Sequence, residues 1–158
     1  MATKAKPDGY HTATPYLIVR DGARAIEFYQ QAFGAVEIMR FRAPGGKIGH
    51  AEFKIGDSPI MLADEWPECD ARSPQTIGGT PVGLLLYVED CDAVFDRAVA
   101  AGAKVFMPVK DQFYGDRSGT VIDPFGHKWT IATHKEDIPL EEMQRRAAAM
   151  FEKSETSA

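Results

Sequence analysis

The sequence predicts an α+β domain in which two tandem βαβββ modules form a cupped eight-stranded mixed sheet, followed by a C-terminal helix. Three observations carry this expectation. A strand, a capping Asp and an amphipathic helix recur at an offset of 69 residues, from Val19 to Val88 and from Asp21 to Asp90. Each copy is followed by segments with the composition and turns of three further strands. Between the copies lies Trp66 to Thr80, with Pro67, Pro74 and the adjacent Gly78 and Gly79, which reads as a linker.

The elements follow in order. The stretch from Thr14 to Val19 opens on an apolar, β-branched and aromatic run that reads as a strand. Asp21 stands where its side chain caps the next helix, on which Ala25, Ile26, Tyr29 and Phe33 form one apolar stripe. Gly34 supplies the left-handed ending. Strands are expected over Val36 to Phe41, Ile48 to Ile55 and Ser58 to Ala63, with turns at Pro44-Gly45-Gly46 and Gly56-Asp57. The second copy runs from Gly83 to Val88, through a helix carrying Val94, Phe95, Ala98 and Val99, to Gly102-Ala103. Strands then cover Val105 to Met107, Gly119 to Asp123 and Lys128 to Thr133, with a longer loop from Asp111 to Arg117. The chain thus divides into a flexible N-terminus (1–9), a first module (10–65), a linker (66–80), a second module (81–135) and a C-terminal helix and tail (136–158), all one domain. Pro139 opens the last helix, whose Leu140, Met143, Ala147 and Met150 suit packing or dimer contact.

Composition narrows the function. A net charge of -5 and a pI near 5.4 argue against nucleic-acid binding. No apolar run approaches the ~20 residues of a membrane helix, and Met1 to Gly9 lacks a secretory apolar core. Cys69 and Cys91 have no CxxC spacing and read as reduced thiols, so a cytoplasmic location is expected. The glycine-rich nucleotide loops, the GxSxG elbow and HExxH are all missing.

The Asp123-Pro-Phe-Gly-His-Lys-Trp129 turn before the last strand, set on a tandem βαβββ pair, resembles the vicinal-oxygen-chelate superfamily. This is the superfamily of glyoxalases, bleomycin-resistance proteins and ring-cleaving dioxygenases. Tyr16-Leu-Ile-Val-Arg-Asp, Ile26-Glu-Phe-Tyr, Ala32-Phe-Gly-Ala and Gly49-His-Ala-Glu look most like its PhnB-like branch, and the likeness runs from about Tyr10 to Lys135. The resemblance implies homodimers with a ligand cavity inside the cup, and chemistry ranging from lyases and isomerases to drug sequestration. In the glyoxalase I-like metal enzymes, the ligands His or Gln, Glu, His and Glu lie on the first and last strand of each half. Those positions fall here on Thr14, Met61, Gly83 and Thr130, none of which supplies an imidazole or carboxylate. No cofactor is therefore expected, and a divalent metal has no support at the family positions.

If Gly56-Asp57 is a two-residue turn, Glu52 pairs with Met61 and Phe53 with Ile60. His50 and Glu52 then share the cavity face with Met61, while Ala51, Phe53 and Ile55 face the helix. Three readings of the pair stay open: polar contacts to a ligand, a catalytic acid–base or metal role, or a charge-assisted bond ordering the sheet. Phe113, Tyr114 and Arg117 could clamp a planar or anionic ligand at the rim, or Arg117 could pair with Asp116 or Asp123. Trp66 suits the cavity mouth or the linker, His127 a solvent-facing turn, and His134 a position just beyond the last strand. The expected ligand-binding residues are thus Thr14, Tyr16, His50, Glu52, Met61, Trp66, Phe113, Tyr114, Arg117 and Thr130, with His50 and Glu52 also the catalytic candidates. The expected function is the binding of a small organic molecule by a metal-free homodimer. The alternative is a lyase, isomerase or dioxygenase with a site rebuilt around His50 and Glu52.

Overall fold

Strand β1 (Tyr16–Val19) alternates exposed and buried residues, sending Leu17 and Val19 into the core. The computed structural model describes residues 3–155, with side chains from 3 to 152. Residues 1 and 2 of the expected flexible N-terminus lie outside the described residues. Asp21 ends β1 and accepts a hydrogen bond from the Arg24 amide at 3.1 Å, starting helix α1 (Gly22–Phe33) as its pattern requires. Gly34 closes that helix at φ 68°, a conformation glycine adopts without strain. Strands β2 (Val36–Arg42), β3 (Ile48–Ile55) and β4 (Ser58–Asp64) complete a sheet of order β1-β4-β3-β2, with β1 parallel to β4.

The β3–β4 hairpin has the register the two-residue turn dictates: Ile55 faces Ser58, Phe53 faces Ile60 and Glu52 faces Met61. Two irregularities interrupt the β2–β3 pairing, one between Glu37 and Met39 and one where Phe41 pairs with His50 but Arg42 with Ile48. Gly49 is the residue skipped at the second, and that bulge turns Ile48 inward against Gly22 while His50 faces outward. Buried Asp64 ties the corner together, accepting the Gly22 amide at 2.8 Å and the Ile48 amide at 2.6 Å.

The linker contains a single-turn helix, α2 (Pro74–Ile77), capped by the buried Ser73 hydroxyl. The second module repeats the first. Strand β5 (Gly83–Tyr87) leads to helix α3 (Cys91–Ala100), capped by Asp90 through the Ala93 amide at 3.0 Å. Strands β6 (Lys104–Asp111), β7 (Asp116–Ile122) and β8 (Lys128–His134) give the order β5-β8-β7-β6. The eight strands thus form two four-stranded mixed sheets, with β1 and β2 as the edges of the first and β5 and β6 as those of the second. The expected loop from Asp111 to Arg117 is shorter than the sequence suggests, because β6 continues to Asp111 and β7 starts at Asp116. Pro108 lies within β6. It is tolerated because β6 is an edge strand and the ladder shifts register between Met107 and Lys110.

The helices pack against each other, and the inward faces of both sheets join them in one apolar core. Asp123 links the modules within it. Its Oδ2 accepts the Tyr29 hydroxyl from α1 and Trp129 Nε1, both at 2.8 Å. Its Oδ1 accepts the Phe125 amide at 2.8 Å and the His127 amide at 3.0 Å. Helix α4 (Leu140–Glu155) closes the chain with Leu140 and Met150 exposed. Among the described residues no helix is long and apolar enough to cross a membrane.

Candidate functional site

Alternation along the first sheet leaves Tyr16, His50, Glu52 and Met61 on the face turned away from the helices, while Leu17, Ala51, Phe53 and Leu62 fill the core. Tyr16 and Met61 are direct partners across β1 and β4. On this face the polar groups connect. His50 Nε2 lies 3.0 Å from Glu52 Oε1, and His50 Nδ1 lies 2.8 Å from the Tyr16 hydroxyl. Glu52 Oε2 accepts the Tyr10 hydroxyl. Phe41, opposite His50 on β2, flanks the imidazole with ring centroids 6.4 Å apart.

Electrostatics follow from these contacts. Bonds from His50 and then Tyr10 hold the Glu52 carboxyl below the usual carboxylate range, against the opposing effect of burial. The same carboxylate, with burial adding to it, pushes the Tyr10 phenol up to about 12. Tyr16 is raised chiefly by burial and then by the charge on Glu52. A carboxylate has lone pairs only, so Nε2 of His50 carries the proton of that bond. In a neutral imidazole Nδ1 therefore accepts from the Tyr16 hydroxyl. The result is a directed chain, Tyr16 to His50 to Glu52, with Tyr16 half-exposed at its outer end.

The second module carries a separate cluster that sequence reasoning missed. Buried Asp116 receives the Tyr87 hydroxyl at 2.8 Å on Oδ2, and its Oδ1 lies 2.8 Å from His134 Nδ1. His134 Nε2 lies 2.9 Å from Asp137 Oδ1, so both ring nitrogens meet carboxylates. Those bonds raise the His134 pKa, Asp116 contributing most. His134 is the last residue of β8 rather than a residue beyond it. Thr130 bonds Thr120 across β7 and β8 at 2.9 Å, on the same face.

Other expected site residues are placed elsewhere. Thr14 precedes β1, so the sheet neighbour of Met61 is Tyr16 instead. Phe113 and Tyr114 pack edge to face in the β6–β7 turn, their centroids 5.2 Å apart. Arg117 does not clamp that rim. It alternates with Asp116 on β7 and points to α3, where Asp92 engages it at 2.7 and 2.8 Å and Asp111 at 3.2 Å. Its partners are therefore neither Asp116 nor Asp123. Trp66 follows β4, bridged to Ala71, with Lys47 Nζ 5.8 Å from its ring centre. His127 is buried instead of solvent-facing, because α1 and β1 pack over its turn and the Ile18 carbonyl accepts from Nε2 at 3.0 Å.

No group of three or more His, Cys, Asp or Glu among the described residues is arranged to hold a metal ion. Thr14, Met61, Gly83 and Thr130 offer no imidazole or carboxylate to a divalent ion.

Comparison with known proteins places these features. Residues 10–131 match the family model described as Glyoxalase/Bleomycin resistance protein/Dioxygenase superfamily. An uncharacterized protein of Mycobacterium bovis is 45% identical over 134 residues, covering 83% of this chain and 88% of the relative. The crystal structure of TioX from Micromonospora sp. ML1 superposes with a TM-score of 0.61 at 26% identity, covering 82% of this chain and 100% of TioX. The PhnB protein from Bacillus cereus shares the fold at 20% identity, with a TM-score of 0.61 over 78% of this chain and 99% of that one.

Proposed function

The chain belongs to the glyoxalase/bleomycin resistance protein/dioxygenase superfamily, and on that premise we propose that it binds a small organic molecule on the open face of its first module. The binding residues are Tyr16, His50, Glu52 and Met61, without metal at the family's ligand positions. The observation that carries this reading is the hydrogen-bonded chain from Tyr16 through His50 to Glu52, set beside Phe41 and Met61. With His50 neutral, the lone pairs of the Tyr16 oxygen meet a ligand donor. With His50 protonated, Nδ1 donates to Tyr16, whose O–H then turns outward. The pair therefore suits a ligand oxygen that donates or accepts, such as a phenol, enol or carbonyl.

Phenol is the simplest probe. It should shift the His50 ring signals in NMR of the full chain, and Tyr16→Phe should weaken that response about tenfold, the loss of about one good hydrogen bond. An unchanged response in Tyr16→Phe, or none at saturating phenol, overturns the reading. Dialysis against zinc, nickel and iron should leave far less than one metal per chain; tight stoichiometric binding refutes the metal-free part.

The same hydrogen-bonded chain favours a second reading, a lyase or isomerase in which Tyr16 exchanges a proton with the substrate and His50, backed by Glu52, takes it up. That reading requires His50→Gln to abolish turnover while leaving substrate affinity within about threefold. The proposal also includes a homodimer, because Phe41, Tyr87 and Phe106 stand 61%, 64% and 51% exposed on the sheets and a second copy would cover them. Light scattering should give twice the 17.4 kDa chain mass.

A further inference from the structure

Between the two modules lies a cavity of about 280 Å³ that touches the cluster around His50 through Tyr16 alone. Its walls come from three parts of the chain: Ile18 on β1, Pro74 and Ile77 on the linker, and Val82 and Leu84 at the start of β5. Ile77 and Val82 are 64% and 66% exposed, yet both border this hollow.

The linker wall is firmly built. Glu65 accepts the Ser73 amide at 2.7 Å and the Thr76 hydroxyl, and Arg20 donates to that hydroxyl at 3.0 and 3.3 Å. This web holds α2 so that Pro74 and Ile77 line the cavity. Apolar side chains fixed around unfilled space form a preorganised site, since little ordering remains to be done when a ligand enters.

Two polar groups limit what fits. Arg72 lines the cavity, and Asp70 engages its Nε at 3.0 Å, leaving the two terminal guanidinium nitrogens for an anionic oxygen. His127 also lines it. The Ile18 carbonyl takes Nε2–H, so Nδ1 is the nitrogen left for a ligand. We infer that this junction is a second small-molecule site, taking a monocyclic aromatic or branched aliphatic carboxylate with its body among Ile18, Ile77, Val82 and Leu84 and its acid group on Arg72. The volume lies at the low end of ligand pockets, which suits one ring rather than two. The inference does not rest on the proposed function. The two sites share one residue, Tyr16, whose ring borders the junction while its hydroxyl reaches His50.

Phenylacetate and its neutral counterpart benzyl alcohol test this by ligand-observed NMR titration of the full chain. Phenylacetate should bind about tenfold tighter than the alcohol, the gain of a charge-assisted contact. Arg72→Gln should erase that preference. Ile77→Trp or Val82→Trp, each filling the cavity from an exposed position, should remove the tight binding of phenylacetate, and His50→Gln should leave its preference over the alcohol unchanged. Equal affinity of acid and alcohol, or undiminished binding in both tryptophan variants, overturns the inference. Binding lost in His50→Gln but kept in Ile77→Trp also overturns it and assigns the acid to the sheet face instead.

Discussion

Replacing Asp123 by Asn keeps the shape of the side chain and changes only what its atoms offer. In the native chain the buried carboxylate accepts four hydrogen bonds, from Tyr29, Trp129, Phe125 and His127. Asn retains a carbonyl for the two backbone amides but turns an NH2 group toward the other two donors. The Tyr29 hydroxyl can rotate to accept, whereas the Trp129 N–H cannot. One orphaned buried donor costs about 1–3 kcal/mol, and lost charge assistance on the two retained amide bonds about 1 kcal/mol each. Removing a buried charge returns part of this as relieved desolvation. The net expectation is a loss of about 3 kcal/mol, a fall in Tm of ~10 °C for a chain of this size. Urea denaturation followed by Trp fluorescence measures it directly. Tyr29→Phe alone should cost about 1–2 kcal/mol, and less in the Asp123→Asn background, where the hydroxyl keeps a bond without charge assistance. If Asp123→Asn lies within about 0.5 kcal/mol of the native chain, desolvation balances the hydrogen bonds and the carboxylate does not hold the modules together.

Further outcomes follow from the same structure. The folded-state pKa of His134 is raised, so its contribution is fully present below the unfolded value and is lost as pH rises through the folded one. His134→Gln should therefore lower the urea midpoint at about pH 6 and have little effect by about pH 9. Burial alone would raise Glu65, but bonds from Thr76 and Ser73, with help from Arg20, hold it down to about 2. The stability it adds is present above the ordinary carboxylate range and disappears as pH falls toward about 2. Glu65→Gln should cost about 1.5–3 kcal/mol near neutral pH and speed amide exchange across Ser73 to Ile77. A methyl group at Gly119 would meet Phe95 Cε2 at 2.8 Å and the Val109 amide nitrogen at 2.9 Å. Gly119→Ala should thus destabilise by about 2 kcal/mol or more in thermal melts, since backbone cannot yield as a side-chain tip can.

The repeat, the capping aspartates and the glycine endings were legible because each is a rule about neighbouring residues. So was the face shared by His50, Glu52 and Met61, since a two-residue turn at Gly56-Asp57 fixes the pairing and alternation does the rest. Beyond that range the signals stopped. Tyr10 gave no hint that it would meet Glu52, and Arg117 reads alike whether its partner is Asp123 or Asp92.

What the sequence determined by itself was the order of elements and the side of each strand on which a residue falls, because periodicity and turn chemistry act over a few residues. Which sides meet was decided by the tertiary structure. Packing α1 and β1 over the turn before β8 buried His127 and added Tyr29 to the local donors on Asp123, and the meeting of β1, the linker and β5 left a cavity, since contacts between distant segments depend on three-dimensional distance that no local pattern encodes.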